Sequence, residues 1–196
     1  GSRLSTRYPV RSITRAGLAT TALAAFMLMA TVTPDLADLA FAVGMAVLGT
    51  GMGLIASQLG LVVQSSVDAS GRGEAGGLQY TGQQLGSSLG VALVGALVLA
   101  GLTGAFVTNV QQDERIAEEV VVQIETATVD GIDFVASADV EAVLVSAGLD
   151  EATTQAVVED YEAAQLRALK AGLLLAALIA LASLAFTKDL PRSIPA

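Results

Sequence analysis

Four long apolar blocks dominate the pattern of hydrophobic and polar positions in this chain of 196 residues, at about residues 16–32, 39–63, 85–107 and 169–186. A helix needs roughly 20 such residues to cross about 30 Å of hydrocarbon, and each block meets or approaches that length. The blocks are rich in Ala and Leu and do not alternate with polar residues, which favours helices over strands. The remaining chain is too short to cover four buried helices, so the pattern predicts an all-α polytopic membrane protein with four transmembrane helices.

A polar segment of residues 109–166 separates the third block from the fourth. Its apolar positions Ile116, Val120 and Ile124 are four residues apart, which predicts a helix over residues 113–128. We therefore expect an ordered helical insertion between the last two spans. Its many carboxylates indicate either a solvated surface or an electrostatic funnel for cations.

Turn and capping residues divide the rest of the polar segment. Residues 131–135 are typical of a short extended stretch, and Ser137 is a candidate N-cap for a helix over 137–147 that Gly148 would end. Asp150 is a candidate cap for a longer helix that continues into the fourth span. The apolar stripe of that helix would consist of Val157, Val158, Tyr161, Leu166 and Leu169.

The positions of Lys and Arg predict the orientation, since cytoplasmic loops are enriched in both. If both termini are cytoplasmic and a short turn at 33–38 lies outside, only Arg115, Arg167 and Lys170 are outside. The inside segments then hold the other seven, Arg3, Arg7, Arg11, Arg15, Arg72, Lys188 and Arg192. This orientation gives a cytoplasmic basic segment with three spans (1–108), an extracellular acidic helical insertion (109–166), and the last span with a cytoplasmic tail (167–196).

Composition narrows the class of function. Hydrophobic residues make up 53% of the chain and charged residues only 15%, whereas a soluble domain has about a quarter charged. The absence of Cys and His excludes disulfides, zinc fingers and Cys or His catalysis. A net charge of −9 disfavours nucleic-acid binding. We expect neither an enzyme nor a cofactor, and no metal site, because a compact Asp-x-Asp-x-Asp-Gly loop is missing.

Small residues recur at every fourth position in two of the blocks. Gly49 and Gly53 do so in the second block, and Gly82, Gly86 and Gly90 do so in the third. Helices in lipid lack a hydrophobic drive to associate and depend on close contact through such residues. We expect these glycines to be helix-packing positions, either between the two helices or against helices that this chain does not contain.

Amide side chains cluster at the cytoplasmic ends of the second and third blocks. Gln58 and Gln84 are candidates to line a substrate cavity, because an amide within a membrane is costly unless it is paired or faces water. Interhelical hydrogen bonding is the alternative role. No Asp, Glu, Lys or Arg lies well inside a block, so a proton-coupling site would lie elsewhere.

The third block and the loop before it resemble a known family. Residues 70–92 read SGRGEAGGLQYTGQQLGSSLGVA. They are similar to the Gly-x-Ala-x-Gly-Leu loop and the Gln-Leu-Gly-x-x-x-Gly-x-Ala helix of the fourteen-span drug:proton antiporters of the major facilitator superfamily. The matching positions are Gly73, Ala75, Gly77, Leu78, Gln84, Leu85, Gly86, Gly90 and Ala92. A long outer segment before the last span is also similar to this family.

The N-terminal segment resembles the basic cytoplasmic loop of the same superfamily. Leu4, Ser5, Arg7 and Arg11 follow its pattern, while Thr6 stands where the family has Asp. The resemblance makes Arg7 and Arg11 the candidate residues of a cytoplasmic gating loop.

The resemblance implies that the chain is the C-terminal part of a proton-coupled carrier of the bacterial plasma membrane. Such a carrier exports drugs or other small lipophilic compounds by alternating access. Its partners would be the lipid bilayer, the remaining N-terminal transmembrane helices, a small-molecule substrate and protons. The alternative is a small four-span membrane protein, an assembly factor or sensor, whose acidic outer domain binds a partner.

The orientation can be tested with a single introduced cysteine, because the chain has none. Ala136→Cys lies in the acidic insertion and should react with an impermeant thiol reagent in intact cells. Ser70→Cys, in the predicted cytoplasmic loop, should react only after the cells are permeabilised. Protection of the cysteine at position 136 in intact cells would contradict the predicted orientation.

Overall fold

A computed structural model describes residues 8–32 and 39–190 of the chain. The regular structure of these residues is helical, in the order α1 (Val10–Thr31), α2 (Leu39–Ser65), α3 (Arg72–Gln112), α4 (Glu118–Ala127), α5 (Ser137–Ser146), α6 (Glu151–Phe186) and a 3-10 turn (Thr187–Asp189). Four helices, α1, α2, α3 and α6, are long and apolar enough to cross a membrane. The predicted all-α class and four candidate spans are confirmed. The predicted turn at 33–38 lies outside the described residues.

The third apolar block is only part of a longer helix. α3 starts at Arg72 rather than near residue 85, so most of the predicted loop is helical and only residues 66–71 separate α2 from α3. The Ala75 amide donates to the Gly71 carbonyl at 3.0 Å, and Glu74 lies in the first turn, where a carboxylate complements the helix dipole. These interactions support a start well before the apolar residues.

The predicted stop of α5 and start of α6 are confirmed. Gly148 adopts a φ of +84°, the left-handed conformation that ends many helices. Asp150 caps α6, since its Oδ1 accepts a hydrogen bond from the Thr153 amide at 3.0 Å and its Oδ2 accepts one from the Thr153 hydroxyl at 2.8 Å. These two hydrogen bonds, of which the one from the amide has the larger effect, hold the pKa of Asp150 below its usual value.

Two other predicted boundaries are wrong. α4 begins at Glu118 rather than at residue 113, because the Asp113 carboxylate accepts a hydrogen bond from the Arg115 amide at 2.8 Å and forms a turn there. Ala136 occupies the N-cap of α5, and no side chain caps this helix. Ser137 is its first helical residue, so its hydroxyl does not act as the predicted cap.

The described residues fall into two compact units, unit 1 within residues 1–92 and 173–196, and unit 2 within residues 93–172. In unit 1, α1 packs against α2. Unit 2 has a core built from its parts of α3 and α6 together with α4 and the turn before it. This core contains Leu102, Ala105, Phe106, Val110, Ile116, Ile124, Ala156, Val157, Tyr161, Ala164 and Ala168.

The buried face of α6 differs from the predicted stripe. Val157 and Tyr161 are buried as predicted, but Leu169 is exposed. Alanines provide much of the remaining buried surface, and a methyl group at Gly101 of α3 would lie 4.0 Å from the Ala168 Cα. Small side chains on both helices allow their backbones to approach closely, so the bulkiest residues of α6 do not define its packed face.

Hydroxyl groups on the long helices find hydrogen-bond partners within their own helix. The side chains of Thr21, Thr50 and Ser183 each donate to the carbonyl four residues earlier, at 2.8 to 2.9 Å. Inside hydrocarbon no water can satisfy such groups. These local hydrogen bonds allow the apolar helices to carry hydroxyls without help from another helix.

Candidate functional site

Gln58 lies on the buried face of α2. The buried residues of this helix are Gly44, Gly51 and Gln58, which are spaced by seven and therefore share one face. Gln58 is only 2% exposed, and its Nε2 donates to the Ser57 hydroxyl at 3.0 Å. Its Oε1 is buried and accepts no hydrogen bond from any described residue.

An amide oxygen in this state is unusual, because an unsatisfied buried polar group costs about 1–3 kcal/mol. Native proteins pair nearly all such groups with protein atoms or ordered water. Gln58 therefore has an unused acceptor in the α1-facing part of unit 1. Its predicted role in a substrate cavity, and the alternative role in interhelical bonding, both stay predictions.

Gln84 is in a different environment from Gln58. It lies in the stretch of α3 from residue 81 to 89, in which every residue is exposed within this chain. Its Nε2 donates to the Tyr80 hydroxyl at 3.3 Å, one turn earlier in the same helix. The two glutamines predicted from the sequence to line a cavity therefore each donate a hydrogen bond within their own helix.

The glycines predicted as packing positions are open in this structure. A methyl group built at any of them would have no described atom of another element within 4 Å, at Gly49, Gly53, Gly82, Gly86 and Gly90. The two helices that carry them thus do not pack against each other through these faces. Packing against helices that this chain does not contain stays a prediction.

Other glycines form the close helix contacts. A methyl group at Gly51 would lie 2.6 Å from the Thr21 hydroxyl and 2.8 Å from the Thr21 amide nitrogen, and one at Gly17 would lie 2.8 Å from Ile55 Cγ1. At Gly44 the nearest atom is Leu28 Cδ2, also at 2.8 Å. These pairs run in opposite directions along the two helices, so α1 and α2 are antiparallel. Spacings of four in the sequence do not predict these contacts, because the buried positions of α2 are seven residues apart.

Of the two gating-loop candidates, only Arg11 is described, since Arg7 lies outside the described residues. Arg11 belongs to the first turn of α1 rather than to a loop, and its Nε is buried without a hydrogen-bond partner among the described residues. Nearby in sequence, the Arg15 Nε donates to the Thr187 hydroxyl at 2.7 Å and joins α1 to the terminal 3-10 turn.

The charged groups of unit 2 contain one ion-paired cluster. Arg115 contacts Asp113 at 2.7 Å and Glu159 at 2.8 Å. Hydrogen bonds from the Arg115 side chain hold the pKa of Asp113 below its usual value. In turn, the carboxylates of Asp113 and Glu159 raise the pKa of Arg115. Arg115 and Glu159 are solvent-exposed and Asp113 is only partly buried, so the cluster adds little stability. Among the described residues no group of three carboxylates is placed to hold a metal ion.

Comparisons with protein-family models, with curated proteins and with solved structures found no significant match to this chain. Its class therefore rests on its own residues and geometry, which indicate a membrane protein with four candidate spans.

The α1–α2 seam, formed by the close contacts at Gly17, Gly44 and Gly51, can be tested by substituting two glycines of α2 that differ in their surroundings. Gly51→Ala should destabilise the pairing by about 1–3 kcal/mol, because its methyl group meets the Thr21 backbone and forces the helices apart. Gly53→Ala meets nothing within 4 Å and should be neutral or gain up to about 1 kcal/mol of helix propensity.

The thermal unfolding of the two reconstituted variants should be compared, with circular dichroism as the measure of helix content. Equal losses for the two variants, or a larger loss for Gly53→Ala, would contradict the seam described above.

Proposed function

We propose that the chain is the C-terminal part of a secondary active transporter in a cell membrane, which exports drugs or other small lipophilic compounds in exchange for protons. The resemblance of residues 70–92 to the drug:proton antiporters of the major facilitator superfamily suggests this class. The structural observation that carries the proposal is the open glycine face of α3 at Gly82, Gly86 and Gly90.

An open glycine face supports membership of a larger helix bundle. Close backbone contact is a main source of helix association in lipid, and a row of glycines offers the surface for it. Within this chain, residues 81–89 contact no other element closely enough to become buried. In an intact carrier this face would pack against helices of the N-terminal part.

A smooth packing face also fits the motion of such carriers. Secondary transporters bind near the middle of the bilayer and rock between inward- and outward-facing states. Helices that meet through glycine can slide without disengaging large side chains. The buried acceptor of Gln58 would be available to a substrate, a water molecule or a partner helix.

The charge distribution supports both termini being cytoplasmic and the polar segment being extracellular, since seven of the ten Lys and Arg residues would then lie inside. No ionisable residue lies well inside the apolar blocks. Proton coupling in this proposal therefore belongs to the rest of the carrier.

A second candidate function is a small four-span membrane protein whose acidic outer domain binds a partner. The core of unit 2 favours it, because an ordered polar segment with its own buried residues, such as Ile124 and Tyr161, is more than a linker between spans. The two candidates differ in whether transport occurs at all.

Export by the full-length protein tests the first candidate. Cells that express it should export a loaded lipophilic cation, and a protonophore should abolish that export. Gly86→Leu should reduce the export rate at least about tenfold, because leucine blocks the close helix contact. Ser87→Leu is the matched control, since it adds a similar side chain on a different face of the same helix.

Export that survives the protonophore would contradict proton coupling, and unchanged export by Gly86→Leu would contradict the packing role. No export by the intact protein would favour the second candidate.

A further inference from the structure

Unit 2 contains an apolar cleft of about 380 Å³ under α5. Its floor includes Phe106, Val157 and Tyr161 of the core, and Val140 and Val143 of α5 line one wall. The cleft exists because α5 has no buried residue of its own and covers the core only in part. A volume of this size lies within the range of small-molecule sites, roughly 300–1,000 Å³.

Tyr161 helps to fix the segment before α5 to the floor of the cleft. The Tyr161 hydroxyl accepts a hydrogen bond from the Val135 amide at 3.0 Å and donates to the Asp133 carbonyl at 3.0 Å. The Tyr161 ring meets Phe106 edge to face, with ring centres 5.6 Å apart. The chain entering α5 is thereby fixed to the core, so the cleft is preformed.

The charged residues that line the cleft are both acidic. Asp133 and Asp139 contribute to its lining, and no Lys or Arg does. Neither carboxylate forms an ion pair with a described residue. The surrounding unit has fourteen carboxylates against Arg115, Arg167 and Lys170, so its field adds to the attraction for cations.

We infer that this cleft binds a small hydrophobic cation. The apolar body of the ligand would lie against Val140, Val143 and the aromatic floor, and its positive charge would face Asp133 and Asp139. A hydrophobic anion would meet the two carboxylates unfavourably, and a neutral apolar molecule would gain nothing from them. The site is formed by residues of unit 2 alone, so it does not depend on the proposed transport activity.

A cysteine protection assay can locate the ligand, because the chain has no cysteine. Val143→Cys places a thiol in the cleft wall, while Val145→Cys places one on the same helix outside the lining. The two positions are 64% and 60% exposed, so a soluble maleimide should reach both. Each variant of the full chain would be labelled in nanodiscs of zwitterionic lipid, with tetraphenylphosphonium or with tetraphenylborate.

We expect tetraphenylphosphonium to slow the labelling at position 143 by about fivefold or more, and to leave position 145 unchanged. Tetraphenylborate, which has the same shape and the opposite charge, should protect neither position. The double substitution Asp133→Asn and Asp139→Asn, in the Val143→Cys background, should raise the half-protecting concentration by roughly three- to tenfold. An unchanged melting temperature would show that this variant keeps the fold.

Equal protection by the two ions, or equal slowing at the two positions, would overturn the inference and indicate partition into lipid instead. Unchanged protection in a folded double variant would also overturn it. The assay measures binding without transport, so its outcome is independent of the export experiment.

Discussion

The hydrocarbon that surrounds the four long helices is the constraint on which the rest of the structure depends. In water, the exposed leucines and valines of α3 would be driven into a core, yet only 17% of its apolar stretch is buried within the chain. In lipid such side chains need no burial, but every backbone polar group must be satisfied locally. This explains why the spans are continuous helices, why their hydroxyls bond to their own carbonyls, and why close contact depends on glycine.

The polar part of unit 2 follows the rules of water instead. α4 buries Ile124 against the core that contains Phe106 and Tyr161, α5 is only partly buried there, and both helices carry exposed carboxylates. Asp150 and Gly148 mark the ends of its helices with ordinary capping chemistry. Segments suited to lipid and segments suited to water alternate along the chain. In α3 and α6 both kinds belong to one continuous helix, which has an apolar part and a polar part.

Physical reasoning from the sequence could predict the features that depend on local composition. The four candidate spans, the stop at Gly148 and the cap at Asp150 are of this kind. The start of α3 at Arg72 could not be predicted from hydrophobicity, because polar residues outside lipid can continue an apolar helix. The contact between α1 and α2 could not be predicted either, because several glycine spacings coexist in α2 and only the partner helix decides which face is used.

In this arrangement the apolar helices lie in a bilayer while the polar segment lies in water. Spin labels attached to single cysteines at Leu89 and Val129 of the reconstituted chain test it directly, since both positions are well exposed, at 69% and 79%. Collisions with oxygen and with a water-soluble nickel complex would be measured by power saturation. We expect collisions with oxygen to dominate at Leu89 and collisions with the nickel complex to dominate at Val129. Equal access of the nickel complex to both positions would contradict it.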